Sequence, residues 1–374
     1  MKMIFVSNNW SDAHQQTRLK ALAKLKVSIL CIAVRREYYK VNSPYFPIII
    51  GNVAHGRYTK RIGIYVRLLH QLSKNVVSKD CLYVLGFDLM MVSLIFRFFS
   101  GNKIKIIYEV PDVREMFFAT SIRGNLIRWV ERSAIPKIDL LVVTSPDFLT
   151  HYFVGLRKIP IQNSLIIENK IHPTDNENPH PELITEIPDL NRKIRIGYFG
   201  VLRCPASLDC LIKLSQNGKY EIILRGIFMP LTRHYEKAIL DKKHMHYLGP
   251  YQAPQDLKFN YSTVDIVWAA YPFSDRAIGN HLYARTNRFY ESLYFKKPFI
   301  VQEGTSDAKT AKMLGNIALE INLKNEEETI KFLCQNLTPD KLSILGKNMF
   351  TIPKEKYQIT NEYNDLETWL QLNR

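Results

Sequence analysis

Short apolar runs alternate along the chain with longer segments in which apolar positions return every three or four residues, the pattern of parallel strands joined by amphipathic helices. The first run is Met3–Ser7, and the spacing then predicts a helix over Thr17–Leu25 and a buried strand over Val27–Val34. Further strands are expected at Tyr45–Ile50, Cys81–Leu85, Ile104–Val110, Leu140–Thr144 and Ser164–Glu168, with helices at Ile62–Lys74, Asp88–Phe99 and Gly124–Ala134. The periodicity then lapses in His172–Pro188, which holds four prolines and reads as a linker. Beyond it the alternation restarts. Strands are expected at Ile194–Phe199, Tyr220–Leu224, Met245–Leu248, Val264–Trp268, Pro298–Gln302 and Ala318–Ile321, and helices at Ser207–Leu214 and Asn287–Tyr294. This order predicts an α/β protein of two Rossmann-like, doubly wound domains, 1–171 and 193–355, joined by a linker over 172–192. A last helix is expected within 356–374, packing back on the first domain.

Composition sharpens this picture. The chain has 374 residues, 46% apolar and 23% charged, enough to fill a core in each of two domains. Its five cysteines, Cys31, Cys81, Cys204, Cys210 and Cys334, form no C-x-x-C pair, which argues for a reducing compartment and against a zinc site or disulfide framework. Leu89–Phe99, the longest apolar stretch, is interrupted by Arg97 and falls short of the roughly 18–20 residues a membrane span needs. Met1–Ser7 is too short for a signal peptide, so a cytoplasmic protein is expected. The formal charge is +16, and it is uneven. Residues 1–150 carry 22 Lys+Arg against 10 Asp+Glu, a net +12, which leaves +4 for the remainder. Such asymmetry predicts a polyanionic partner for the first half: nucleic acid, an anionic membrane or a phosphate-bearing ligand.

Parallel sheets bind ligands at the carboxyl ends of their strands, so the residues after each strand carry the candidate chemistry. Neither half contains G-x-G-x-x-G or G-x-x-x-x-G-K-[ST], and no H-E-x-x-H, G-x-S-x-G or kinase set is present. The strand Ile194–Phe199 runs into Gly200 and then Arg203 ahead of a helix, a placement suited to a diphosphate, although a glycine there is ordinarily just a turn. The strand Tyr220–Leu224 likewise ends in Arg225–Gly226. Asn287, Arg288 and Glu291 fall within about one helical turn. A carboxylate there can accept both hydroxyls of a ribose while Arg288 and the helix N-terminus neutralise phosphate. On spacing alone, a solvent-exposed Arg288–Glu291 pair explains the same residues.

Asn287–Glu291 followed by Lys297–Ile300 resembles the N-K-L-x-E…G-K-P-V-I stretch of bacterial glycosyltransferases of the GT-B fold, particularly family 4. Tyr108–Asp112, Val142–Pro146, Ile166–Asn169 and Gly197–Gly200 resemble, in order, four further segments of that family. The resemblance spans the chain from its first strand to about residue 305. It implies two domains facing across a cleft, the second binding a nucleoside-diphosphate sugar and the first an acceptor. Carried over, Glu291 holds the donor ribose, Asn287 and Arg288 lie near its phosphates, and Gly200 and Arg203 sit opposite them. The loop Asp275–His281, with Asn280 and His281, faces the donor sugar. Such enzymes generally need no metal, and the chain has no convincing D-x-D. Two positions depart from the family. Tyr283 replaces the first Glu of E-x7-E, so that residue's sugar contact is not carried over, and Pro111 replaces the motif histidine, leaving Asp112 as a candidate general base. As a bland alternative, Asp112 is a loop carboxylate answering Arg114.

The loop Ser7–His14 borders the acceptor side in this fold, which makes Asp12 and His14 further candidates, although a lone histidine in a polar loop is usually just solvated. Gly86–Asp88 lies at a neighbouring strand end. Around Trp129 the aliphatic residues are interleaved with Arg123, Arg128, Arg132 and Lys137, and around Tyr58 and Tyr65 with Arg57, Lys60, Arg61 and Arg67. This suits an anionic membrane surface, or equally ordinary amphipathic helices with solvated charges. No nucleic-acid module or dense basic run is present, so nucleic acid is not the expected partner. The expectation is a glycosyltransferase acting on a lipid-linked or growing surface glycan, peripheral at the inner membrane face. The alternatives are a same-fold sugar-nucleotide enzyme such as an epimerase, and a non-catalytic glycan- or lipid-binding scaffold.

Overall fold

The computed structural model describes residues 1–35, 43–53, 61–101, 103–172, 192–271 and 279–373, and every count or absence below is of these residues. They form two compact units, Met1–Glu168 with Asn361–Arg374, and Asn169–Thr360. The expected linker lies outside the described residues except at its two ends, as do Arg57, Tyr58, Lys60 and 275–278.

The first unit begins with β1 (Lys2–Ser7), α1 (Ala13–Leu22), β2 (Ser28–Arg35), β3 (Ile48–Asn52), α2 (Ile62–Asn75) and β4 (Cys81–Leu85). It continues with α3 (Phe87–Ser100), β5 (Lys105–Val110), α4 (Ile122–Ala134), β6 (Leu140–Val143), π-helical turns over Phe148–Leu156 and β7 (Ser164–Ile166). The strands pair in parallel in the order β3-β2-β1-β4-β5-β6-β7. All of β4 and β6 is buried, which is why both appear in the sequence as unbroken apolar runs. The strand order reverses between β1 and β4, and there the carboxyl ends open a crevice.

The second unit holds β8 (Ile194–Leu202), α5 (Pro205–Gln216), β9 (Tyr220–Phe228), α6 (Arg233–Leu240), β10 (Met245–Tyr247), α7 (Leu257–Ser262) and β11 (Ile266–Trp268). After these come α8 (Asn280–Tyr283), α9 (Asn287–Tyr294), β12 (Phe299–Gln302), α10 (Ser306–Met313), β13 (Ala318–Ile321), α11 (Glu326–Asn336) and α12 (Pro339–Phe350). Its parallel order, β10-β9-β8-β11-β12-β13, reverses between β8 and β11. Pleating sends Tyr198 into the core on one face of the sheet and Phe199 into the core on the other.

Helix α13 (Glu362–Leu372) belongs to the first unit, where Leu366 and Leu370 pack in the same core as Met3, Phe5, Leu19 and Ile107. No described helix is long and apolar enough to cross a membrane.

Three local expectations change. Helix α1 starts at Ala13 because the Asp12 carboxylate accepts the Gln15 N–H and caps it, so His14 stands on a helix and not in a polar loop. The strands β8 and β9 run past the glycines expected to end them, since Gly200 pairs with Gly226 across the ladder. A Cβ on Gly226 would meet the Gly200 carbonyl oxygen at 1.7 Å, and both glycines have positive φ, so only glycine permits this approach. The strand expected at Tyr45–Ile50 starts instead at Ile48.

Candidate functional site

In the second unit the sequence candidates gather at the carboxyl ends of β8 and β11. Arg288, on the first turn of α9, is buried between the Tyr198 and Tyr271 rings, with its guanidinium carbon 4.9 and 4.6 Å from their centroids. Its Nε donates to the Phe199 carbonyl at 2.5 Å, Nη1 to the Trp268 carbonyl at 3.5 Å, and Nη2 to the Tyr271 hydroxyl. One side chain thereby ties together the two strands that flank the switch point. A Cβ on Gly200 would lie 3.3 Å from Nη2, so the glycine is what lets the cation sit against the β8 backbone. No carboxylate among the described residues pairs with Arg288, which leaves its charge to the ends of the strands.

Glu291 lies one turn further along α9, buried, with the Tyr261 hydroxyl donating to Oε2 at 2.7 Å. Burial raises its pKa above the ordinary carboxylate value, against the lowering effects of Tyr261 and Arg288. The solvent-exposed Arg288–Glu291 pair is therefore excluded, because both residues are buried and each has other partners. Tyr251 completes the group. Its hydroxyl is 3.9 Å from the Cβ position of Gly200, and burial and Glu291 together raise its pKa.

Arg203 follows β8 directly and precedes the Cys204 cap of α5, so it flanks that helix N-terminus as expected. Its guanidinium lies over the Tyr271 ring at 5.3 Å and reaches His281 Nε2 at 3.4 Å. The His281 ring stacks on Tyr271, and burial, aided by Arg203, pushes its pKa down to about 4, so the imidazole is neutral at ordinary pH. Asn280 opens α8 beside it, and Asn287 is exposed at the start of α9. Arg225 is held differently. It lies inside β9, donates to Asn260 Oδ1 at 2.6 Å and pairs with Asp256 at 3.7 Å, contacts that fasten β9 to α7.

The cap of α9 carries a charge that the sequence pattern does not reveal. The Thr286 side chain accepts the Phe289 N–H, while its hydroxyl donates to the buried Asp307 at 2.7 Å. Burial raises the Asp307 pKa to about 6.

In the first unit, Asp12 is occupied as the α1 cap, and Asp112 is exposed just beyond β5. His14 is better placed than the sequence suggests. Its Nε2 lies 2.8 Å from Oε1 of Glu109, a fully buried carboxylate near the end of β5. Arg18, one turn after His14, bonds the same carboxylate through Nε at 2.9 Å, and the Tyr83 hydroxyl donates to it at 2.7 Å. Arg18 in turn reaches the Ile167 carbonyl at 2.9 Å and the Tyr363 hydroxyl of α13 at 2.5 Å. Glu109 titrates at about 2: desolvation pushes it up, but Arg18 and His14 more than offset that. Sequence reasoning passed over Glu109 because it looked beyond the strand ends. The one carboxylate inside the run Ile104–Val110 is the available signal, since a buried carboxylate needs partners.

No protein-family model matches the chain. In sequence it is similar to the succinoglycan biosynthesis protein ExoL of Rhizobium meliloti (strain 1021), with 28% identity over 304 residues, 79% of this chain and 73% of that protein. In structure it is similar to Anabaena Alr3699/HepE in complex with UDP and glucose, at a TM-score of 0.68 and 12% identity over 100% of both chains. Sucrose-phosphate synthase from Thermosynechococcus elongatus matches at a TM-score of 0.65 and 11% identity, over 100% of this chain and 98% of that one. Together with the two doubly wound parallel sheets, these likenesses identify the fold as GT-B, that of the glycosyltransferases which the sequence motifs resemble.

Proposed function

We propose that the chain is a glycosyltransferase that moves a sugar from a nucleoside-diphosphate sugar to a lipid-linked or growing surface glycan, working as a peripheral protein at the inner face of the cell membrane. The observation that carries this reading is the group at the ends of β8 and β11: buried Arg288 with no carboxylate partner among the described residues, Arg203 beside the α5 N-terminus, and buried Glu291. It is a cationic seat with a single carboxylate, the complement of a diphosphate joined to a ribose. The relative in succinoglycan biosynthesis and the structural neighbour in complex with UDP and glucose support the same chemistry.

In this scheme Glu291 accepts the ribose hydroxyls. Arg203, the charge of Arg288 and the N-termini of α5 and α9 stabilise the departing diphosphate, without a metal ion. His14 is the general base. With Nε2–H donated to Glu109, Nδ1 keeps its lone pair and takes the proton of the acceptor hydroxyl as that oxygen bonds to the anomeric carbon. The glycosidic bond to the diphosphate breaks, and ionised Glu109 stabilises the imidazolium that forms.

A thermal-shift titration with nucleoside-diphosphate sugars in EDTA tests the donor half, since a ligand of the native state raises Tm. The wild type should be stabilised, and Glu291→Ala should need at least about tenfold more ligand, one lost charge-assisted hydrogen bond being worth that much. Equal shifts would remove Glu291 from the donor site, and no shift with any sugar nucleotide would favour the scaffold. Turnover of donor into another sugar nucleotide without acceptor would make the chain an epimerase. For the base, His14→Ala should lower kcat about 10²-fold or more with donor affinity unchanged. If Asp112→Asn does this instead, Asp112 is the base.

A further inference from the structure

We propose that the face formed by α3 and α4 of the first unit is a docking surface for an anionic lipid bilayer, with Phe98, Phe99 and Trp129 entering its headgroup region. This deepens the reading of a glycosyltransferase at the membrane face and rests on it. Between the two helices lies a groove of about 650 Å³ lined by Met91, Ile95, Phe98, Phe99, Trp129 and Lys137, among others. Phe98 and Phe99 are 80% and 81% exposed and Trp129 is 66% exposed. Ile122, Leu126 and Trp129 follow one another at spacings of four and three on α4, so its exposed apolar residues form a stripe, and Ile95, Phe98 and Phe99 do the same on α3. A contiguous apolar surface of this kind on a folded unit marks an interaction site.

Charge says what covers it. Lys137 lines the groove and Arg123 and Arg132 are exposed on α4; Arg97 lines it too, but its charge is neutralised by Asp139. The carboxylates of α3 and α4, and Asp139 ahead of β6, are already engaged. Glu131 is buried and bonded by Tyr152 at 2.9 Å and Arg157 at 3.0 Å, Asp139 takes Arg97 at 2.6 Å, and Asp88 takes Arg61 and Tyr65. The result is an apolar, aromatic centre with a basic rim, matched to acyl chains below anionic headgroups. A second copy related by two-fold symmetry would set the basic rims against each other. A nucleic acid would satisfy the rim and leave the phenylalanines against phosphate.

The protein carries its own probe. Of its four tryptophans only Trp129 is exposed. With vesicles of phosphatidylcholine containing phosphatidylglycerol, Trp129 emission should shift to the blue and be quenched by lipids brominated near the headgroup, with little change on pure phosphatidylcholine. Phe98→Ser with Phe99→Ser should weaken co-sedimentation by at least about tenfold, given the apolar area removed. Arg123→Glu with Arg132→Glu should weaken it by roughly fivefold or more per residue. Donor thermal shifts serve as the control for folding and for the underlying reading, because these variants should keep them. If anionic vesicles fail to bind the wild type while the donor shift persists, docking is overturned and the glycosyltransferase stands. Vesicle binding that ignores all four substitutions, or concentration-dependent dimerisation that they abolish, overturns the assignment as well.

Discussion

Glu109 is where residue-scale physics is most demanding. It is a carboxylate without solvent contact, and it persists in charged form because His14, Arg18 and Tyr83 all point donors at it. Its pKa of about 2 lies below the ordinary 4.5, so its contribution to stability is complete above about pH 4.5 and is lost as pH falls through 2. Glu109→Gln should remove that acid sensitivity. It should also cost ~3–5 kcal/mol at pH 7 by leaving the Arg18 guanidinium buried and uncompensated. Urea melts at pH 7 and pH 3 measure both effects, and a variant as stable as wild type at pH 7 would show that Arg18 finds another partner.

At the scale of elements, α9 depends on a relay. Asp307 holds Thr286, and Thr286 caps the helix that carries Arg288 and Glu291. Thr286→Val keeps the shape and removes the hydroxyl, so it should cost ~1–2 kcal/mol and lower donor affinity by loosening α9. The Asp307 pKa, raised to about 6 from 3.8, has the opposite sign to that of Glu109. Its contribution is complete below about pH 4 and is lost as pH rises through 6, so Asp307→Asn should flatten the fall in Tm between those limits. Much at this scale was legible in sequence. Strands buried on both faces announce themselves as apolar runs, and β4, β13 and α9 match their expected limits. Helix α10 did not stand out, because Ser306–Met313 buries itself through Ala308 and Ala311, without a strong apolar stripe. The same limit applies to the candidate site. Arg288 and Glu291 are three residues apart and legible as a motif, whereas His14 and Glu109 are 95 apart and meet only because β1, β4 and β5 are neighbours in the sheet.

At the scale of the whole molecule, the +16 that dominates the composition resolves into residues 1–150 at +12 and a remainder at +4. The first unit also draws on the far end of the chain. Leu366 and Leu370 fill its core, and Tyr363 bonds Arg18 in the Glu109 network. Truncation after Thr360 should therefore destabilise the first unit by several kcal/mol, since burying one leucine is worth ~2 and two are lost. Calorimetry should show its transition move down while that of the second unit stays. If both transitions keep their places, α13 is dispensable.

The route of α13 also bears on synthesis. The segment 1–168 leaves the ribosome long before 361–374, so the first unit is made early and completed late, after the second unit has been synthesised. In that interval the surface that later receives Leu366 and Leu370 lies open, and the buried Glu109 network lacks Tyr363. A nascent chain of this protein thus carries an unfinished first unit while the whole of the second is being translated, and that is the stage at which a chaperone has something to hold.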